Sequence, residues 1–356
     1  MKNKRTILYC LMIMLAGVVN FGLQAQQTNT FQEAIATKTV ASSQGPKGIV
    51  RTIKQDRKGT IWIASWEGVF KYDGKSFTNV SSKVSSARFF SVLEDSKGNF
   101  WFASIGSGVY YYDGNSFQNF TTKDGLASDR VGCIYEDING TIWFGSDGGA
   151  SRYEPSTSLM TGFKSFQSFK IKEAPSVTES DSVPNSANQK SLSEVSWIHN
   201  DVNTIIEDNT GKFWIATRGD AAFYDGRTCT TITRKDGKPF TNVRSIIKDK
   251  KGNMWLGGND GLWRYDGSTF TNFTQQFVGY VYEDKKGNIW TSSESNKNSW
   301  VLSRYDEKSL NNKKPTVTEI ANKPMIFGIL EDDKGYIWIG DVEGVHRYDG
   351  KTITDF

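Results

Sequence analysis

Apolar and polar positions along this chain come in short runs bounded by Asp, Asn and Gly clusters, and no stretch sustains a helical period. Such runs predict short strands joined by tight turns, with Gly supplying positive φ and Asp bonding the backbone that follows it. One arrangement recurs seven times: an aliphatic run ending in Asp-x-x-Gly, a Trp-centred apolar strand, then Tyr-Asp-Gly or a variant of it. The copies start at Asp56, Asp95, Asp137, Asp208, Asp249, Asp284 and Asp332, with Trp62, Trp101, Trp143, Trp214, Trp255, Trp290 and Trp338 as their tryptophans. In the first copy the turn signals predict strands over 49–56, 60–65, 68–73 and 76–80.

A repeat of this length built of strands means a propeller or a solenoid. One four-stranded sheet cannot bury both faces, so neighbouring units must cover each other, and the recurring Trp suits that gap. A closed ring is expected, because every unit reads as a four-stranded meander and no polar capping repeat stands at either end. The predicted fold is therefore all-β: a seven-bladed β-propeller of four-stranded antiparallel blades over 48–356. Successive Trp spacings are 39, 42, 71, 41, 35 and 48 residues, and the 71 marks an insertion. Residues 155–200 are Ser-rich with little periodicity and read as a long exposed loop, although Phe163, Phe166 and Phe169 could pack on a blade. Two further excursions are expected at 292–300 and 307–323. The lead segment 26–47 precedes the first repeat, and 28–33 resembles a fourth strand that could add to closure.

Residues 1–25 change the charge picture. Lys2, Lys4 and Arg5 precede an apolar run over 7–19 and a small-residue site ending at Ala25, which predicts a secretory signal peptide. Removing it lowers the formal charge from +4 to +1, so nothing favours nucleic acid or an anionic membrane as partner. No later run is apolar enough for a membrane span. The mature chain is expected in the periplasm or outside the cell. Cys133 and Cys229 fall in different repeats at positions that do not recur, which favours two free thiols over a disulfide.

The repeat, seen in full from Ile329 through Glu331, Asp332, Gly335, Trp338 and Gly340 to Tyr348, Asp349 and Gly350, resembles the two-component regulator propeller repeat. Tyr153-Glu-Pro and Tyr305-Asp-Glu depart from its Tyr-Asp-Gly turn. The resemblance implies an extracytoplasmic recognition ring of the kind found in the sensing regions of hybrid histidine kinases. No kinase, membrane helix or further β domain follows the seventh repeat, so a ring without its own signalling output is expected.

In a propeller the loops entering the first strand and those joining the second to the third share one face. Five residues before each repeated Asp stand Arg51, Phe90, Gly132, Asn203, Arg244, Gly279 and Phe327, each beside an apolar neighbour. A position varying among charge, aromatic and Gly next to an invariantly apolar one marks a channel mouth. The second-to-third strand loops add Trp66, Glu67, Asp147, Arg218, Asp220, Asn259, Asp260, Trp300, Asp341 and Glu343. Aromatic faces with Asp, Asn and Arg suit an oligosaccharide, and equally a segment of a partner protein. The repeated Asp residues sit at the opposite face and read as turn formers, and no cofactor or metal is expected.

An enzyme is the alternative reading. His199 and His346 are the only histidines, and no nucleophile elbow or Cys/His pair accompanies them. Similarity to streptogramin lyases, which use a His with carboxylates and magnesium, has its local counterpart in His346 with Asp341 and Glu343. Paired carboxylates such as Glu67 and Asp341 could instead cleave a glycoside at suitable separation. A third alternative is an envelope scaffold that makes its contacts through 155–200. The expectation is a binding protein and not an enzyme.

Overall fold

The seven Asp-x-x-Gly turns form for a local reason. Asp56 Oδ1 accepts the backbone N–H groups of Lys58 (2.9 Å) and Thr60 (2.8 Å), and Gly59 takes φ 86° to close the hairpin. Asp56 Oδ2 accepts the indole N–H of Trp62 at 2.8 Å. The same clip, Trp Nε1 to Asp Oδ2 at 2.8–3.0 Å, recurs in every blade. The carboxylate expected to shape a turn therefore also satisfies a donor that would otherwise be buried unpaired.

The structure is a computed structural model that describes residues 41–154, 166–172, 197–295 and 299–356. The expected signal peptide (1–25), the strand expected over 28–33 and most of the 155–200 insertion lie outside these residues. Seven antiparallel sheets form, each running from innermost to outermost strand in chain order. The innermost strands are Val50–Gln55, Phe89–Glu94, Val131–Glu136, Val202–Glu207, Ser245–Lys248, Val278–Glu283 and Gly328–Glu331, and they define blades 1 to 7. Each lies beside the next all the way round, blade 7 against blade 1, so the ring closes. This is the seven-bladed propeller that the repeats predict.

Two outer strands lie where the sequence pattern reads as excursion. Phe166–Phe169, inside 155–200, is the fourth strand of blade 3, and Val317–Asn322, inside 307–323, is the fourth strand of blade 6. Both are largely solvent-exposed at the rim of the ring, so little apolar alternation marks them. Blade 1 gains a fifth strand, Ala41–Ser42, on its outer edge beside Phe77–Asn79.

Each repeated Trp fills the gap to the next blade, as expected. Trp62 lies 4.1 Å from the Phe100 ring, Trp143 4.4 Å from Phe213 and Trp214 5.4 Å from Tyr265, centroid to centroid. A second clasp crosses the seams. The residue before the repeated Asp accepts the backbone N–H of the residue after the Asp in the preceding blade: Glu94 from Arg57 (3.0 Å), Glu136 from Ser96 (2.8 Å), Glu207 from Ile138 (3.1 Å). Glu283, Glu331 and Gln55 do the same for Lys250, Lys285 and Asp333. At the seam between blades 4 and 5 the position is Lys248, which has no acceptor to offer.

Among the described residues no blade borrows a strand from the far end of the chain, so side chains and backbone bonds close the ring. Trp338 of blade 7 lies 5.4 Å from Tyr72 of blade 1, and Val50, Ile53, Ile61, Ile63, Phe77 and Val345 join it in one buried cluster. Val50 N–H donates to Asp341 O across the same seam at 2.9 Å.

Candidate functional site

The variable position five residues before the repeated Asp has a structural identity: it is a β-bulge. In blades 1, 2, 3, 4 and 6 the pairing of the first two strands skips one residue, and the residues skipped are Arg51, Phe90, Gly132, Asn203 and Gly279. In blades 5 and 7, Arg244 and Phe327 stand directly before the strand, their N–H groups bonded to Gly257 O and Gly340 O at 2.8 Å. A bulge frees a side chain from the alternation of the pleat and re-aims it. The apolar residue just before it keeps its core position, and Val50, Phe89, Val131 and Val278 are fully buried.

The bulges are tied from blade to blade. Thr52 Oγ1 donates to Phe90 O (2.7 Å) and Asn203 Nδ2 to Val243 O (2.8 Å). On this frame the structure brings Arg51, Phe90 and Phe327 together, with the Arg51 guanidinium 4.5 Å from the Phe90 ring and 4.3 Å from the Phe327 ring. Burial first, and then the charge of Arg244, pull the Arg51 guanidinium down to about 10. Arg244 is also lowered, by burial and then by Arg218, and Asp201 offsets only part of this. Residues from blades 1, 2, 4, 5 and 7 thus act on one another at one mouth.

Around this mouth six blades present a pair that the sequence pattern only half displays. The second-to-third strand loop is bonded through its backbone to the residue two positions before the bulge or to its neighbour: Trp66 to Ile49, Ile105 to Arg88, Asp147 to Arg130, Arg218 to Asp201, Asn259 to Thr241 and Glu294 to Phe277. Side chains then meet across several of the pairs. Arg130 contacts Asp147 at 2.9 Å, Arg218 contacts Asp201 at 2.7 Å, and Asn242 donates to Asn259 at 2.9 Å. Arg88 lies 4.5 Å over the exposed Trp66 ring from the neighbouring blade, and Arg218 lies 5.5 Å over exposed Trp197. Trp300 meets Phe277 edge to face at 5.6 Å. Arg88, Arg130 and Asp201 are rim residues that sequence reasoning missed. Their signal is the offset of seven before the repeated Asp, one step beyond the apolar neighbour.

Other expected site residues point elsewhere. Asp220 is buried and lies 3.0 Å from His199 Nδ1, and it also accepts from Thr217 Oγ1 at 3.1 Å. Asp341 is fully buried, 2.9 Å from His346 Nε2. Both carboxylates are enclosed, at positions where most other blades carry a buried hydroxyl or a Gly. Glu67 accepts the Lys47 N–H (3.2 Å), and Asp260 accepts the Thr241 N–H (2.6 Å) and contacts Arg234, so both anchor incoming chain. Glu343 is exposed and gives its N–H to Asp341.

His346 is not poised beside an open cleft. Its Nδ1 lies 2.5 Å from Asp355 and its Nε2 faces Asp341, with Lys323 Nζ 3.3 Å from Nδ1. Burial lowers its pKa, but the Asp341 and Asp355 carboxylates outweigh burial and raise it overall. The trio of His346, Asp341 and Glu343 is therefore divided: two members enclosed in blade 7, the third turned to solvent. Cys133 and Cys229 are free thiols, pushed by burial to about 12 and about 11. No helix among the described residues is long and apolar enough to cross a membrane.

The family described as Two component regulator propeller matches residues 125–148, 196–219 and 237–260. Each matched window runs from the chain entering an innermost strand, through the bulge and the Asp–Trp clip, to the rim loop. No curated protein matches the sequence. Among solved structures, the extracellular domain of a protein described as a hybrid two component system from B. thetaiotaomicron aligns at 20% identity and TM-score 0.65, over 85% of this chain and 39% of that one. This chain thus spans well under half of that domain. A catalytically inactive variant of virginiamycin B lyase from Staphylococcus aureus, solved with quinupristin, aligns at 14% identity and TM-score 0.58, over 87% and 97% of the two chains. PorZ, a surface component of the type-IX secretion system of Porphyromonas gingivalis, aligns at 14% and TM-score 0.54, over 87% and 44%. These likenesses are likenesses of fold. With the Asp–Trp clip repeated seven times, the chain is a seven-bladed propeller, and three of its repeats match the two component regulator propeller model.

Proposed function

We propose that this chain is an extracytoplasmic recognition propeller, related to the sensor regions of two-component systems, that takes an oligosaccharide or a segment of a partner protein on the face bearing the bulges. One observation carries the reading. The framework residues repeat blade after blade, whereas the bulge and rim positions hold Arg, Phe, Asn, Gly, Trp and Asp in no repeating order. Side chains freed by bulges from the packing alternation are free to differ, and loops carried on a rigid scaffold are where binding residues concentrate. Location outside the cytoplasm rests on the expected leader over 1–25 and on the extracellular domain among the structural likenesses.

The test is thermal unfolding of the chain against a panel of oligosaccharides. A ligand at about 100 times its Kd stabilises the fold by roughly 2.7 kcal/mol, so a binder raises the midpoint visibly. The Trp66→Ala/Arg244→Ala protein should keep its unliganded midpoint and lose the shift. A double variant that retains affinity would show that the bulge face is not where the ligand sits.

A further inference from the structure

The arginines of the bulge face are not treated alike. Arg130 has Asp147 at 2.9 Å, Arg218 has Asp201 at 2.7 Å, and Arg88 lies on Trp66. Arg51 and Arg244 have no carboxylate within ion-pair distance among the described residues. The faces of Phe90 and Phe327 hold the Arg51 guanidinium at 4.5 and 4.3 Å, which orients it and offsets part of its lost hydration without neutralising it. The charged groups acting on it are Arg244 and Arg218, both cations.

Two guanidiniums at equivalent innermost-strand positions of blades 1 and 5, neither paired with a carboxylate, are complementary to an oxyanion, which accepts two parallel N–H bonds from a guanidinium edge. Gly132, at another bulge position, places no side chain at the mouth, whereas Gly279 is covered by the Trp300 and Phe277 rings. Phe90 and Phe327 offer the Arg51 guanidinium ring faces and no acceptor atom, so they leave its N–H donors to another partner.

We infer that the mouth of the ring is an anion site in which Arg51 and Arg244 together bind a carboxylate or sulfate group. This rests on the reading of the bulge face as the ligand face, and it deepens that reading by giving the ligand an acidic group. The neutralised pairs Arg130–Asp147 and Arg218–Asp201 then form a polar rim that adds no net charge of its own.

Two probes separate a group carried on an oligosaccharide from a free anion: digalacturonate against its neutral methyl ester, and sodium sulfate against sodium chloride at matched low-millimolar ionic strength. Calorimetric titration of the full chain should show digalacturonate binding at least tenfold more tightly than the ester. Arg244→Gln should weaken it at least tenfold with an unchanged unliganded melting midpoint. Arg51→Lys, which keeps the charge and loses the two-pronged geometry, should also weaken it and guards against misfolding of a more drastic variant. Binding of sulfate alone that depends on Arg244 supports the anion site and assigns it to a free anion. Equal affinity for digalacturonate and its ester, or anion binding indifferent to both substitutions, overturns the inference. If neutral oligosaccharides still bind in a Trp66-dependent way, the recognition reading survives that failure. Arg244-dependent anion binding with no oligosaccharide ligand for the rim would do the reverse.

Discussion

The two faces of the ring obey opposite rules. On the turn face every blade repeats the same bonds: a carboxylate clips its own Trp at 2.8–3.0 Å, and a Glu or Gln reaches back to the preceding blade at six of the seven seams. At the bulge position of the other face no two neighbouring blades present the same residue. The difference is one of constraint. Turn-face side chains satisfy buried donors and seal seams, where a loss leaves an unpaired polar group. Bulge side chains stand outside the pleat alternation and make no contact that every blade repeats, so their identity can differ from blade to blade. Uniformity thus marks the residues that build the ring, and variation marks those available for binding.

The comparison is broken most severely at Trp255, which is fully buried in the cluster between blades 5 and 6 and clipped to Asp249 at 2.9 Å. Trp255→Ala should destabilise the chain by about 3–5 kcal/mol in denaturant unfolding, the range for a large aromatic removed from a core. A loss under about 1 kcal/mol would mean that the seams do not carry the stability of the ring.

The comparison is sharpened at Lys248, the one seam position without an acceptor. Lys248→Glu should complete the circle of clasps by accepting the Asn209 N–H, as its counterparts do, and should gain about 1 kcal/mol, the net worth of one hydrogen bond. A lowered thermal midpoint would show that seam 4/5 is built differently from the rest.

The smallest effect is expected at His346, which separates architecture from ligand chemistry within blade 7. Burial alone would lower its folded-state pKa, but Asp341 and Asp355 raise it above 6.5. Its protonated form therefore stabilises the fold fully below pH 6.5, and that contribution fades as pH rises through the higher folded value. Stability of the parent relative to His346→Gln should fall over that window, with ligand affinity unchanged. A flat difference across pH would mean that the histidine is not held charged by its two carboxylates.

Much of the ring was legible from residue order. The seven Asp–Trp repeats marked the blades, and the offset of five, read as a channel mouth, singled out positions that are bulges in five of them. Less was legible where outer strands meet solvent, because Phe166–Phe169 and Val317–Asn322 need little apolar alternation to pair. The pairing of the rim loops was less legible. Trp66, Asp147 and Arg218 stand at it, but their partners Arg88, Arg130 and Asp201 lie on a different loop, and nothing in one repeat announces the pairing. Asp220 and Asp341 misled for the same reason. They share a loop with rim residues, yet their histidine partners lie on other segments and draw them inward.

Sequence by itself determined the number of blades, the turn chemistry and the buried Trp in each, because those depend on contacts within one repeat that recur at fixed spacing. Tertiary structure alone decided which loop carboxylates are buried, which arginines pair with a carboxylate and which, like Arg51 and Arg244, do not. Those outcomes depend on distances between side chains of different blades, and a periodic pattern carries no record of what lies across a seam or across the channel.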